Sequence, residues 1–68
     1  MTDPDGARRF DPPRGVDVEQ GGVWWPGRQL AWAQWDGRGW MAYASWSTAP
    51  GQRYLTWVEA DRVRARPE

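Results

Sequence analysis

Cysteine, histidine and lysine do not occur in this sequence of 68 residues. Without the first two there is no disulfide, no Cys/His zinc site and no haem ligation by either residue. Without histidine or lysine, Ser45 and Ser47 have no base to activate a hydroxyl, so nucleophilic catalysis has no candidate pair. Apolar runs never reach the length of a membrane span. The opening Met-Thr-Asp-Pro-Asp-Gly has neither the basic start nor the apolar stretch of a secretory signal. These absences point to a non-enzymatic, cofactor-free, metal-free cytoplasmic protein with no membrane contact. Met1 reads as the start of a small, complete open reading frame.

The charge balance is also bare of any excess. Nine arginines meet nine acids, for a formal net charge of zero. A neutral domain gains little from the phosphate backbone or an anionic bilayer, which weighs against nonspecific binding to either. That every basic residue is arginine suits a GC-rich genome. Codon bias explains it more simply than selection for planar, bidentate donors.

What the chain has instead is tryptophan, seven times: at 24, 25, 32, 35, 40, 46 and 57. A domain this small buries only about 60% of the surface its unfolded chain would expose. Without staples it needs large core side chains, and each indole can bury on the order of 200 Å².

The pattern along the chain is β throughout. Residues 1–15 hold three of the six prolines and two of the eight glycines, with Phe10 as their one large apolar side chain, and read as a flexible tail. The domain is expected over 16–66. Val16 to Gln20 alternates apolar and polar residues, as a half-buried strand does. Gly21-Gly22 marks a turn. A long strand runs from Val23 to Trp35, in which Pro26-Gly27 marks a bulge, an edge or a bend. Asp36-Gly37 signals a hairpin between aromatic flanks. The next strand, Trp40 to Trp46, sets Trp40, Ala42, Ala44 and Trp46 on one face. Residues 47–52 form a loop, and Arg53 to Glu59 a fourth strand with Leu55 and Trp57 opposite Tyr54, Thr56 and Val58. Ala60-Asp61-Arg62 fits one 3₁₀ turn, and Val63 to Ala65 a short closing strand. Five strands with close turns describe an all-β barrel, whose closure would remove exposed edges.

This order of elements resembles Tudor and Agenet domains, which are SH3-like barrels. Val23-Trp24-Trp25-Pro26-Gly27 is similar to their aromatic-Pro-small segment. Trp57-Val58-Glu59-Ala60-Asp61-Arg62-Val63-Arg64 is similar to their closing strand, so the likeness spans Val16 to Arg64. The chain also resembles small actinobacterial proteins that share a "DGR-W" hairpin and an "STxPG" loop. In the resembled families an aromatic cage binds methylated lysine or arginine, because a cation over ring faces is attracted by their quadrupoles. Carried over by position, the cage residues are Trp25, Trp46 and Tyr54. The first strand departs from that pattern, with Val18 and Glu19 where a further aromatic is expected.

Trp25, Trp32, Trp40, Trp46 and Trp57 can line a ligand surface or fill the core, and a chain this short needs them for its core first, above all Trp57 and whichever of Trp24 and Trp25 points inward. Neighbours Trp24 and Trp25 must point to opposite faces, and so, without a bulge between them, must Trp32 and Trp35. At least two tryptophans are therefore expected at the surface. Asp36, Glu59 and Asp61 read as turn and capping residues, not as an acid/base pair. Arg62, Arg64 and Arg66 read as a solvated tail end more than as phosphate contacts.

Three functions follow. The first is a non-catalytic module that takes a protein or peptide partner, a proline-rich segment or a cationic side chain, in an aromatic groove or partial cage. The second is nucleic-acid binding by tryptophans beside Arg28, Arg38 and Arg53, which grouping of those three on one face would favour. The third is a structural homo-oligomer or assembly subunit.

Overall fold

The computed structural model describes residues 7–66. It is all-β: β1 (Arg8–Gln20), β2 (Val23–Trp35), β3 (Gly39–Ala49), β4 (Gln52–Glu59), a 3₁₀ turn (Ala60–Arg62) and β5 (Val63–Ala65). All pairings are antiparallel, and the sheet order is β4-β3-β2-β1-β5. The sheet curls into a half-barrel compatible with an SH3-like barrel. Its two end strands do not pair with each other, so the closure expected from the sequence is not made by hydrogen bonds.

Turn chemistry fixes the hairpins. Gly21 and Gly22 have φ of 65° and 80°, and Gln20 faces Val23 across them. Two successive positive-φ residues make the tight turn whose twist matches the strands it joins. The β2–β3 turn uses Asp36, Gly37 and Arg38, closed by the Arg38 amide donating to the Trp35 carbonyl at 3.1 Å. The expected 47–52 loop is shorter than predicted. β3 runs through Ala49, only Pro50-Gly51 turns, and the Ser47 hydroxyl lies 3.0 Å from the Ala49 and Gln52 carbonyls.

β1 begins at Arg8, eight residues before the expected Val16, so much of the segment read as a tail belongs to the sheet. Met1 to Gly6 lie outside the described residues. The alternation failed there for a structural reason. Arg8 and Arg9 face Trp32 and Ala31, Arg14 faces Gln29, and the residues between them bulge out opposite Leu30. Pro12 and Pro13 have no N–H to give the ladder, so a bulge is where a strand tolerates them. Leu30 is also the irregular residue on the β3 side, between Gln29 and Ala31. The β2 bulge thus falls there and not at Pro26-Gly27, whose pairing with Asp17 and Val16 is regular.

The core lies on the concave face: Val16, Val18, Ala42, Ala44, Trp46, Val58 and Val63, with Trp25, Trp32 and Tyr54 packed against it. Among the described residues Gln29 is the one buried polar residue there, 0% exposed. Its Oε1 accepts from Arg14 Nε at 2.8 Å and its Nε2 donates to the Ala31 carbonyl at 3.1 Å. Gln29→Leu keeps the volume but strands both partners, so we expect a loss of about 1–3 kcal/mol. Urea denaturation measures it, and an unchanged midpoint would show that solvent satisfies Arg14 instead.

The convex face carries a second aromatic group. Trp57 lies against Trp35 (5.6 Å between centroids, edge-to-face) and Tyr43 (5.0 Å), across buried Ala31, Ala33 and Met41. Trp57 was expected in the core. It belongs instead to the convex face, half-buried, because Tyr43↔Trp57 and Ala42↔Val58 place it opposite Val58.

Candidate functional site

The residues carried over as cage walls do come together. Strand pairing sets Val18 beside Trp25 and Trp46 beside Tyr54 on the concave face. Trp46 and Tyr54 stack, with centroids 5.3 Å apart and planes 19° from parallel. Rings in such contact leave no room between them for a cation. Trp46 is only 5% exposed, and its indole N–H donates to Gln20 Oε1 at 2.7 Å. The Trp25 indole donates to the Gln20 carbonyl at 3.1 Å. One residue at the end of β1 thus satisfies both indoles, the buried one of Trp46 and the half-buried one of Trp25. Trp46 fills the core, and Trp25 and Tyr54 flank it half-buried.

The aromatic surface that remains open lies further along the same face. Trp40, 49% exposed, and half-buried Trp32 line an open groove of about 460 Å³ with Arg8 and Ala60. Their positions follow from register. Trp32 pairs with Arg8 on one side and Ala42 on the other, and Trp40 stands two residues on from Ala42. Trp32 and Trp40 were among the tryptophans weighed from the sequence. Arg8 was not, because the segment that bears it read as a tail.

Several ring faces already hold a cation of the protein's own. The Arg14 guanidinium sits 4.8 Å from the Phe10 centroid and 5.5 Å from that of Trp32, and Arg64 lies 4.2 Å from Trp24. Such contacts are worth about 0.5–1 kcal/mol each at exposed sites.

The three arginines weighed for nucleic acid do not form one cluster. Arg28 and Arg53 share the convex face, through their pairing with Ser45 and Ser47. Arg38 sits in the β2–β3 turn, 3.8 Å from Glu59. The C-terminal arginines are bound in place. Arg62 meets Glu19 at 3.2 Å and donates to its carbonyl at 2.8 Å, and Arg64 and Arg66 reach Asp17 at 3.5 and 3.4 Å. They fasten the 3₁₀ turn and β5 to β1, a role that no local charge pattern announces.

Among the described residues no helix is long and apolar enough to cross a membrane. No family model, no curated protein and no solved structure matches the chain.

Proposed function

We propose that the chain is a non-catalytic binding module that takes an extended, proline-rich protein segment along the groove of Trp32 and Trp40. The observation that carries this reading is Trp40 itself. It is a tryptophan left half exposed beside a second indole, in a chain that needs its aromatics for burial. Covering the exposed half of an indole removes roughly 100 Å² from water, worth about 2–3 kcal/mol to whatever covers it. A proline-rich segment suits such a floor, because it is rigid before it binds and lays flat rings on aromatic ones.

Arg8 shapes the choice of ligand. A cation at the lip of the groove opposes a methylated lysine or arginine and favours a segment with an acidic residue beside its prolines. The Tudor-like alternative, a cationic side chain between Trp25, Trp46 and Tyr54, has less support, given the stacked pair and the buried indole.

Titration of proline-rich peptides, with and without an acidic flank, tests the reading by tryptophan fluorescence. Trp40→Ala should weaken binding at least about tenfold while costing about 1 kcal/mol or less in stability, since the side chain is half exposed. Equal affinity for the variant would sink the groove as the site. Quenching by single-stranded DNA that fades steeply with salt would move the reading to the convex face, where Arg28 and Arg53 lie.

A further inference from the structure

We propose that this chain associates with a second copy of itself through the free edge of β4, in one register with its twofold axis at Thr56. Among the described residues β4 ends the sheet order and pairs only with β3. Its outer side therefore presents a row of backbone N–H and C=O groups to another strand. Sheet edges are ordinarily blunted by proline, lysine, bulges or shortness. β5, the other end strand, is blunted: it spans three residues and carries Arg64, which reaches Asp17 on β1. β4 is less protected. It runs for eight residues without proline, its ladder to β3 is regular from Arg53 to Glu59, Leu55 stands 53% exposed on it, and its two charges, Arg53 and Glu59, are of opposite sign.

The occupant is a second copy because the strand is complementary to itself. With Thr56 opposite Thr56, the convex face sets Arg53 against Glu59 and Leu55 against Trp57, each twice by symmetry. The concave face sets Tyr54 against Val58. Opposite charges and aromatic–aliphatic pairs are the cross-strand neighbours that stabilise antiparallel strands. Moving the axis to Leu55 places Arg53 against Trp57, and moving it to Trp57 places Glu59 against Leu55. Only the Thr56 axis pairs charge with charge inside the strand. Both charges are available for it. Arg53 makes no ion pair with another described residue, and Glu59 has only exposed contacts of 3.8 Å to Arg38 and Arg62. The result is an isologous dimer with a continuous ten-stranded sheet.

Sedimentation of the full chain over a concentration series tests this, with the charges as the probe. The wild type should show reversible dimerisation that weakens with salt. Arg53→Glu and Glu59→Arg should each weaken it by about tenfold or more, and the double exchange should restore it, because like charges directly opposite repel. The chain has no cysteine, so Thr56→Cys supplies a single thiol on an exposed site. Directly opposed strand residues bring their Cβ atoms near disulfide reach. Thr56→Cys should therefore oxidise to a covalent dimer, whereas Leu55→Cys, offset from its own copy, should not. A monomer at every concentration, a dimer indifferent to both charge reversals, or cross-linking as efficient at 55 as at 56 would each overturn the proposal. Circular dichroism of each variant separates loss of association from loss of fold.

Discussion

Trp46→Ala should remove most of the fold's stability, about 3–5 kcal/mol. A domain of this length has only about 3–10 kcal/mol in all, so a large share of the variant should be unfolded at room temperature. Three losses add up in one side chain. Trp46 is the largest member of the concave core and 5% exposed, so truncation leaves a cavity among Val16, Ala44 and Tyr54. Tyr54 loses the ring it stacks on, and Gln20 Oε1 loses its indole donor. Trp46→Phe separates these terms, because it keeps a ring against Tyr54 and removes only the N–H and part of the volume. We expect it to recover more than half of the loss. Urea denaturation followed by far-ultraviolet circular dichroism checks both, since fluorescence changes with the number of indoles. A Trp46→Ala chain within 1 kcal/mol of wild type would mean that Trp46 is not the keystone of the concave core.

Trp46 also shows where reading from residues stops. The alternation of β3 assigned Trp40, Ala42, Ala44 and Trp46 to one face, and the structure agrees. It could not say that Trp46 is enclosed and Trp40 half exposed, because burial along one face depends on how the sheet curls over it. That curl comes from bulges and long-range pairing. Resemblance placed Trp46 in a cage, and the geometry that would distinguish a wall from a stacked core ring is tertiary.

The glycine turns made the hairpins readable. β2 begins and ends as expected at Val23 and Trp35, because Gly21-Gly22 and Asp36-Gly37 fix both ends. The 3₁₀ turn and β5 likewise fall where expected, at Ala60–Arg62 and Val63–Ala65. β1 was harder, since Pro12 and Pro13 suppress the alternation that marks a strand, and only pairing with Ala31 and Trp32 reveals Arg8 and Arg9 as part of it. With Arg8 hidden, the groove was hidden too. Trp57 failed differently: a sheet with aromatics on both faces gives period-two patterning without telling inside from outside. Gln29 lay within a predicted strand, yet nothing local marks a glutamine that will be sealed beneath Arg14.

Gly27→Ala should cost about 2–4 kcal/mol although it adds a single methyl group. Pro26-Gly27 suggested a bulge, an edge or a bend, since its proline has no N–H for the ladder. The structure gives Gly27 another use. The pairing there is regular, with Gly27 between Val16 of β1 and Trp46 of β3. A Cβ at this position would lie 2.5 Å from the Ser45 carbonyl oxygen and 2.9 Å from Trp46 Cβ. The first neighbour is backbone in the middle of the sheet and cannot swing away. Relief requires β3 to shift from β2, and that shift would carry Trp46 out of its stack on Tyr54 and away from Gln20. The same methyl at Gly15, where only the far end of the Arg66 side chain comes within 4 Å, should change stability by about 0.5 kcal/mol or less. Comparing the two alanine variants by thermal and urea unfolding isolates close approach from any general cost of replacing glycine in a strand. If Gly27→Ala unfolds with Gly15→Ala, strand β3 yields to the methyl group and the contact is not limiting. If it unfolds far below, the absence of a side chain at position 27 is what lets β2 and β3 meet closely enough to seat Trp46.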